Sequence, residues 1–152
     1  MKTKILLAGL IHFIIALIYR HIVGLSITNG NWIDTWESMW QAIPLNQLSE
    51  SPLTSIYYFH AQPPVFNTLL ATLVKLAPNN PLGLLQTVYI LLGVVMVMMS
   101  GVIIYHLISR QIVADILLFI ITLHASLFIY EAYELQTHLT AFLVICVIFC
   151  LV

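Results

Sequence analysis

The chain has 152 residues, 61% of them hydrophobic and only 7% charged, with a mean hydropathy of +1.02. Ordinary soluble domains carry about 25% charged residues, so this composition excludes a water-soluble globular fold and predicts an all-α, polytopic membrane helix bundle, a single membrane domain over 1–152. The net charge of −1 argues against a nucleic-acid partner; the partner the composition demands is a lipid bilayer.

A membrane-crossing helix needs about 20 mainly apolar residues. The first such run is Ile5 to Tyr19, reaching Leu25 if Arg20 and His21 sit near the interface. Lys2 and Lys4 ahead of it give the look of a signal peptide. The run outlasts the roughly 7–15 residues of a cleavable core and no small-residue cleavage site follows, so the expectation is a retained anchor. Next comes a polar loop over about 28–81. Its Trp32, Trp36 and Trp40 recur every four residues, which predicts a surface-lying helix from about Ile33 to Ala42 with Asp34 and Glu37 on a neighbouring face. Tyr57, Tyr58 and Phe59 add to an aromatic belt at headgroup level. Phe59 to Pro63 reads as a bend, because Gln62 before Pro63 is pushed toward extended geometry. Pro64 suits the first turn of a helix over "VFNTLLATLVKLAP", too short to span and right for an interfacial or re-entrant helix.

Leu82 to Ile108 and Ile116 to Tyr130 are the second and third crossings, with Gly93, Ser100 and Gly101 allowing close helix packing. A fourth opens near Leu135 and is still apolar at Val152, which suggests a fragment of a longer protein; Cys146 and Cys150 within it read as apolar filler. The prediction is therefore about four transmembrane helices plus one or two interfacial helices in the first outer loop. Lysine and arginine collect on the cytoplasmic side of membrane proteins, so Lys2, Lys4 and Arg110 predict an inner N-terminus. Threaded from there, Asp34, Glu37, Glu50, Glu131 and Glu134 fall outside, and Asp115 is the one inner carboxylate.

This order of elements, with "PPVFNTLLATLVKL" and "YEAYELQTHLTAFL", resembles the GT-C membrane glycosyltransferases, in particular the protein O-mannosyltransferase and aminoarabinose transferase group. The resemblance implies transfer of a sugar from a polyprenyl-phosphate donor to a lipid, glycan or protein acceptor at the extracytoplasmic face, in a bacterial plasma membrane. An attacking hydroxyl must lose a proton to a carboxylate within about 2.6–3.2 Å, and the departing phosphate needs a cation, a divalent metal or N–H donors. Carried over by position, Asp34 is the candidate catalytic base and Glu37 its partner in orienting acceptor or metal. The sequence departs from the group where two adjacent acids are usual, since Thr35 and Trp36 separate Asp34 from Glu37. It departs again at Gln62, where some relatives have lysine, leaving Lys75, Arg20 or His60 to meet the phosphate; Glu134 lies in the turn the resemblance puts beside the acceptor.

Each of these residues has a plainer role open to it. Asp34 and Glu37 suit the solvated face of a surface helix. Arg20 and Lys75 suit snorkelling to the headgroups, and His60 suits a backbone hydrogen bond. Glu131, Glu134 and His138 would line up as metal ligands only on a continuous helix. For His12, His106 and His124, within crossings, a neutral ring bonded to a neighbouring helix is the cheapest explanation. A non-enzymatic transporter or scaffold, with Arg20, His124 and Glu134 lining a pathway or holding helices together, is the rival to the transferase.

Overall fold

A computed structural model of the chain describes residues 1–23, 43–58, 64–132 and 136–152. Among them the regular structure is entirely helical. In chain order the helices are α1 (Lys2–Val23), α2 (Leu45–Glu50), α3 (Pro52–Tyr58), α4 (Pro64–Leu76), α5 (Pro81–Leu107), α6 (Gln111–Thr122), α7 (Ala125–Ala132) and α8 (Gln136–Leu151). Among the described residues three stretches are long and apolar enough to cross a membrane: Lys2–Ile22, Gly83–Leu107 and Gln111–Ile129. The surface-helix prediction over Ile33 to Ala42 and the bend from Phe59 to Pro63 lie outside the described residues.

The chain divides into two compact units, one formed by Met1–Gly24 with Val88–Val152, the other by Leu25–Thr87. In the first, side-chain registers fix helix directions. Ile5 faces Gly101, Gly9 faces Met98 and Val94, and Ala16 shares a cluster with Ile90, so residue numbers fall along α5 as they rise along α1. These two helices are antiparallel. Lys4 pairs with Asp115 and His12 with Thr122, so numbers rise together along α1 and α6, which are parallel. The tight Ile108–Arg110 connection between α5 and α6 completes an up-down-up order. It gathers Lys2, Lys4 and Arg110 at one end of this unit.

Close approach explains the glycines here. A Cβ on Gly101 would lie 3.2 Å from both Ile5 Cγ1 and Leu118 Cδ1, and one on Gly9 would lie 3.0 Å from Met98 Cγ. Gly101 thus has the packing role its sequence context predicts. The buried core around it comprises Ile5, Ala8, Val97 and Leu118.

The expected third crossing is not one continuous helix. After Thr122 the chain leaves helical geometry at Leu123 and His124 and resumes at Ala125. The His124 N–H turns to the Ile121 carbonyl (3.2 Å), and the Thr122 hydroxyl bonds back to Leu118 (2.7 Å). Threonine back-bonding of this kind bends helices. Neither glycine nor proline marks the place in the sequence.

The second unit is built on a different plan. Helices shorter than about 12–15 residues are marginal alone, and α2, α3 and α4 all pack on one another. The buried face of α4 carries Phe66, Asn67, Leu70, Ala71, Leu73 and Val74. Pro44 immediately precedes α2, and Pro52, Pro64 and Pro81 are the first residues of α3, α4 and α5. Proline is favoured there because its missing N–H would have had no helical partner. The short helix expected after the Pro-Pro pair is therefore present and begins at Pro64, whereas α2 and α3 were not anticipated.

Candidate functional site

Of the residues singled out for chemistry, Asp34, Glu37, His60, Gln62 and Glu134 lie outside the described residues. Arg20 and Lys75 are described, Arg20 in the first unit and Lys75 in the second.

Arg20 sits in the last turn of α1, where a cation complements the carbonyl end of the helix. Its side chain is 7% exposed, so it is packed inside the protein instead of snorkelling outward; the adjacent His21 is exposed. Two further nitrogenous side chains are buried in the same unit, His12 at 0% and His138 at 1% exposure.

The His12 ring is positioned by the break in the third crossing. A helix interrupted at Leu123 leaves the Thr122 carbonyl without the amide four residues on, and His12 Nδ1 lies 3.2 Å from that oxygen. A carbonyl only accepts, so Nδ1 carries the proton and donates. The ring also stacks on Phe128 of α7, with centroids 4.7 Å apart and planes at 20°. This is a histidine bonded to a neighbouring helix, as expected from the sequence. His106 and His124 differ: both are exposed, and among the described residues neither side chain is hydrogen-bonded to a neighbouring helix.

His138, near the start of α8, stacks on the fully buried Tyr89 at 5.4 Å. Its Nε2 is buried with no hydrogen-bond partner among the described residues. Sequence reasoning treated His138 only as a partner for Glu131 and Glu134, and missed its burial against Tyr89. For His12 the available signal was its place in a strongly apolar run, where ionisable groups are rare and often functional; His138 follows Gln136 and Thr137 and carries no such signal.

Lys75 is exposed and lines a groove of about 400 Å³ between α3 and α4, with Pro52, Leu53, Ile56 and Ala71. Thr68 and Thr72 also face this groove, but their hydroxyls donate to Pro64 and Thr68 carbonyls of their own helix. That leaves the lysine ammonium as its charged donor. Asn67, another buried residue not foreseen, uses its side-chain oxygen to accept the Ile43 N–H at 3.0 Å and so ties the start of this unit to α4.

Among the described residues no three His, Cys, Asp or Glu side chains gather to hold a metal ion. Cys146 and Cys150 are free thiols on α8, the first half-buried and the second exposed. No protein family matches this sequence, and no curated protein or solved structure matches the chain.

Proposed function

We propose that the chain is membrane-embedded machinery of a GT-C-type glycosyltransferase, moving a sugar from a polyprenyl-phosphate donor to an acceptor at the extracytoplasmic face. The supporting observation is the order of elements. One long apolar helix is followed by short mutually packed helices, the last opened by Pro64, and then by long apolar helices joined through a tight turn. In this reading the N-terminus is cytoplasmic, as the shared end of Lys2, Lys4 and Arg110 favours. About four crossings are used, α8 being the fourth. Its 16 residues reach roughly 24 Å, so it needs a few more residues or a locally thinner bilayer.

Asp34 is the proposed base and Glu37 its partner. Lys75 is the proposed contact for donor phosphate, because a cation beside an apolar groove suits a phosphate attached to hydrocarbon. His60, Gln62, Arg20 and Glu134 complete the proposed substrate-binding set. Membranes from cells expressing the chain in its native reading frame, given radiolabelled polyprenyl-phosphate sugars, should pass label to an acceptor. Asp34→Asn should reduce transfer at least about 100-fold, the scale of general-base catalysis, while leaving membrane insertion intact. Transfer retained by that variant removes Asp34 as base; no transfer from any such donor removes the reaction.

A second reading, a polytopic transporter, is favoured by the buried His12, Arg20 and His138. Buried ionisable groups in membrane segments often mark ion or substrate paths. Solute uptake into vesicles that is abolished by His138→Leu, with no sugar transfer, selects it over the transferase.

A further inference from the structure

At the Lys4 end of the first unit, a groove of about 270 Å³ runs between α1 and α6. Its floor is Ala8 and Leu118, which are buried; its walls include Leu7, Ile11 and Phe119, which are exposed at 54%, 37% and 64%. The alanine makes the trough, since larger side chains flank it on both helices. A volume well above the roughly 150 Å³ that admits a benzene ring takes a length of hydrocarbon chain. From residue 4 to 11 on α1 and from 115 to 122 on the parallel α6, the lining extends about 10 Å along the helix axes.

The polar groups of the groove sit at one end. Lys4 Nζ reaches Asp115 Oδ2 at 2.6 Å, and the Tyr105 hydroxyl donates to the other carboxylate oxygen. Asp115 is therefore held from two sides, whereas the Lys4 side chain remains 46% exposed and has two further N–H donors. Lys2 and Arg110, both exposed, belong to the same end, which among its described residues carries three lysine and arginine side chains against the single carboxylate of Asp115.

We infer that this groove binds an anionic phospholipid of the surrounding membrane, one acyl chain lying over Ala8 between Leu7, Ile11 and Phe119, with the phosphate at Lys4. The apolar trough selects a chain, and the excess of cations at its mouth selects a negative headgroup. Nothing in this assignment needs the transferase reading; it rests only on insertion into a membrane.

The test uses the full chain purified in mild detergent, after alkaline-washed membranes have shown that it is inserted. Native mass spectrometry then compares retention of phosphatidylglycerol with that of phosphatidylcholine. Preferential retention of phosphatidylglycerol is expected, weakened roughly fivefold by Lys4→Gln, as for one basic residue near a charged membrane. Asp115→Asn removes the competing carboxylate and should hold or raise retention. Ala8→Leu fills the trough and should lower retention of both lipids. Equal retention of the two lipids, or no loss on filling the trough, overturns the inference. Equal losses from Lys4→Gln and Asp115→Asn would mean a pair that only joins helices, and also overturn it. Absence from washed membranes would instead refute the membrane reading itself.

Discussion

The two units solve one problem, how helices are held together, by opposite means. In the first, long helices apolar on most faces meet through small residues and shape, with Gly9 and Gly101 letting α1 approach α5. In the second, short helices are set by proline starts and by side chains that bond to backbone: Asn67 to Ile43, Ser55 to the Gln47 carbonyl at 3.2 Å, and Asn80 to Gly83 at 3.0 Å. Membrane insertion of the long apolar helices, as in the proposed function, would explain the contrast. Where hydrocarbon surrounds a helix, burying leucine against leucine gains little over leaving it in lipid, so close packing decides association. Where the segment is short and its ends are polar, every helix terminus exposes unpaired backbone groups that something must satisfy.

The comparison is broken most severely at Gly101. A leucine there has no room between Ile5 and Leu118, already 3.2 Å from an added Cβ. Overpacking costs about 1–3 kcal/mol, and with contacts on two helices Gly101→Leu should lie at the upper end. Thermal unfolding in detergent should fall markedly, with Gly101→Ala showing a much smaller drop because those side-chain tips can shift. If leucine were tolerated as well as alanine, the glycine would not be what sets α1 against α5. In the second unit, Asn67→Leu keeps the volume and leaves the Ile43 N–H buried without its acceptor. The expected cost is about 1–3 kcal/mol, seen as faster amide exchange around residues 43–50 with little change around Gly101. Equal exchange changes in both units would mean that the two are held by the same contacts.

His12 tests whether hydrogen bonds matter in the first unit at all. His12→Phe preserves a ring to stack on Phe128 but leaves the Thr122 carbonyl unpaired. Bonds between membrane helices average about 0.6 kcal/mol and reach about 1.7, so a loss of about 1 kcal/mol is expected in denaturant titration. Because the bond is made at the break in the crossing, the double variant His12→Phe with Thr122→Val should lose less than the two single losses added together. Simple additivity would separate the histidine from the break.

The long spans could be read from composition because hydropathy over about 20 residues is a property of the segment, not of its neighbours. The α4 start was equally legible, since Pro64 acts on its own backbone. By contrast, α2 and α3 are six and seven residues long, too brief for periodicity to register, although Pro52 announces α3 by the rule that identified Pro64. The break at Leu123 and the burial of His138 were not legible for a different reason. Each depends on a residue more than forty positions away, Thr122 on His12 and His138 on Tyr89, and nothing local encodes such a pairing. Of the proposed substrate-binding residues, the two described members came out unlike each other: Arg20 is buried where an exposed headgroup contact was the plain expectation, while Lys75 is exposed as expected.

The smallest effect lies at the start of α5. Asn80 Oδ1 accepts the Gly83 N–H, and a Cβ on Gly83 would come within 2.3 Å of the Asn80 amide nitrogen, so the glycine leaves space for the cap. Losing such a cap to alanine costs about 1 kcal/mol at an ordinary helix start, and replacing it by glycine only a few tenths. Here the cost should be at the low end, because Pro81 has already removed one unpaired N–H and presets the first turn. Asn80→Ala should therefore raise amide exchange over residues 83–87 by a few-fold without lowering the melting temperature of the whole chain. Gly83→Ala, which forces the asparagine side chain away while keeping its identity, should reproduce that local signature. If Gly83→Ala were silent in exchange while Asn80→Ala was not, asparagine would be acting by some route other than this cap, and the side-chain-to-backbone plan of the second unit would stop short of its last helix.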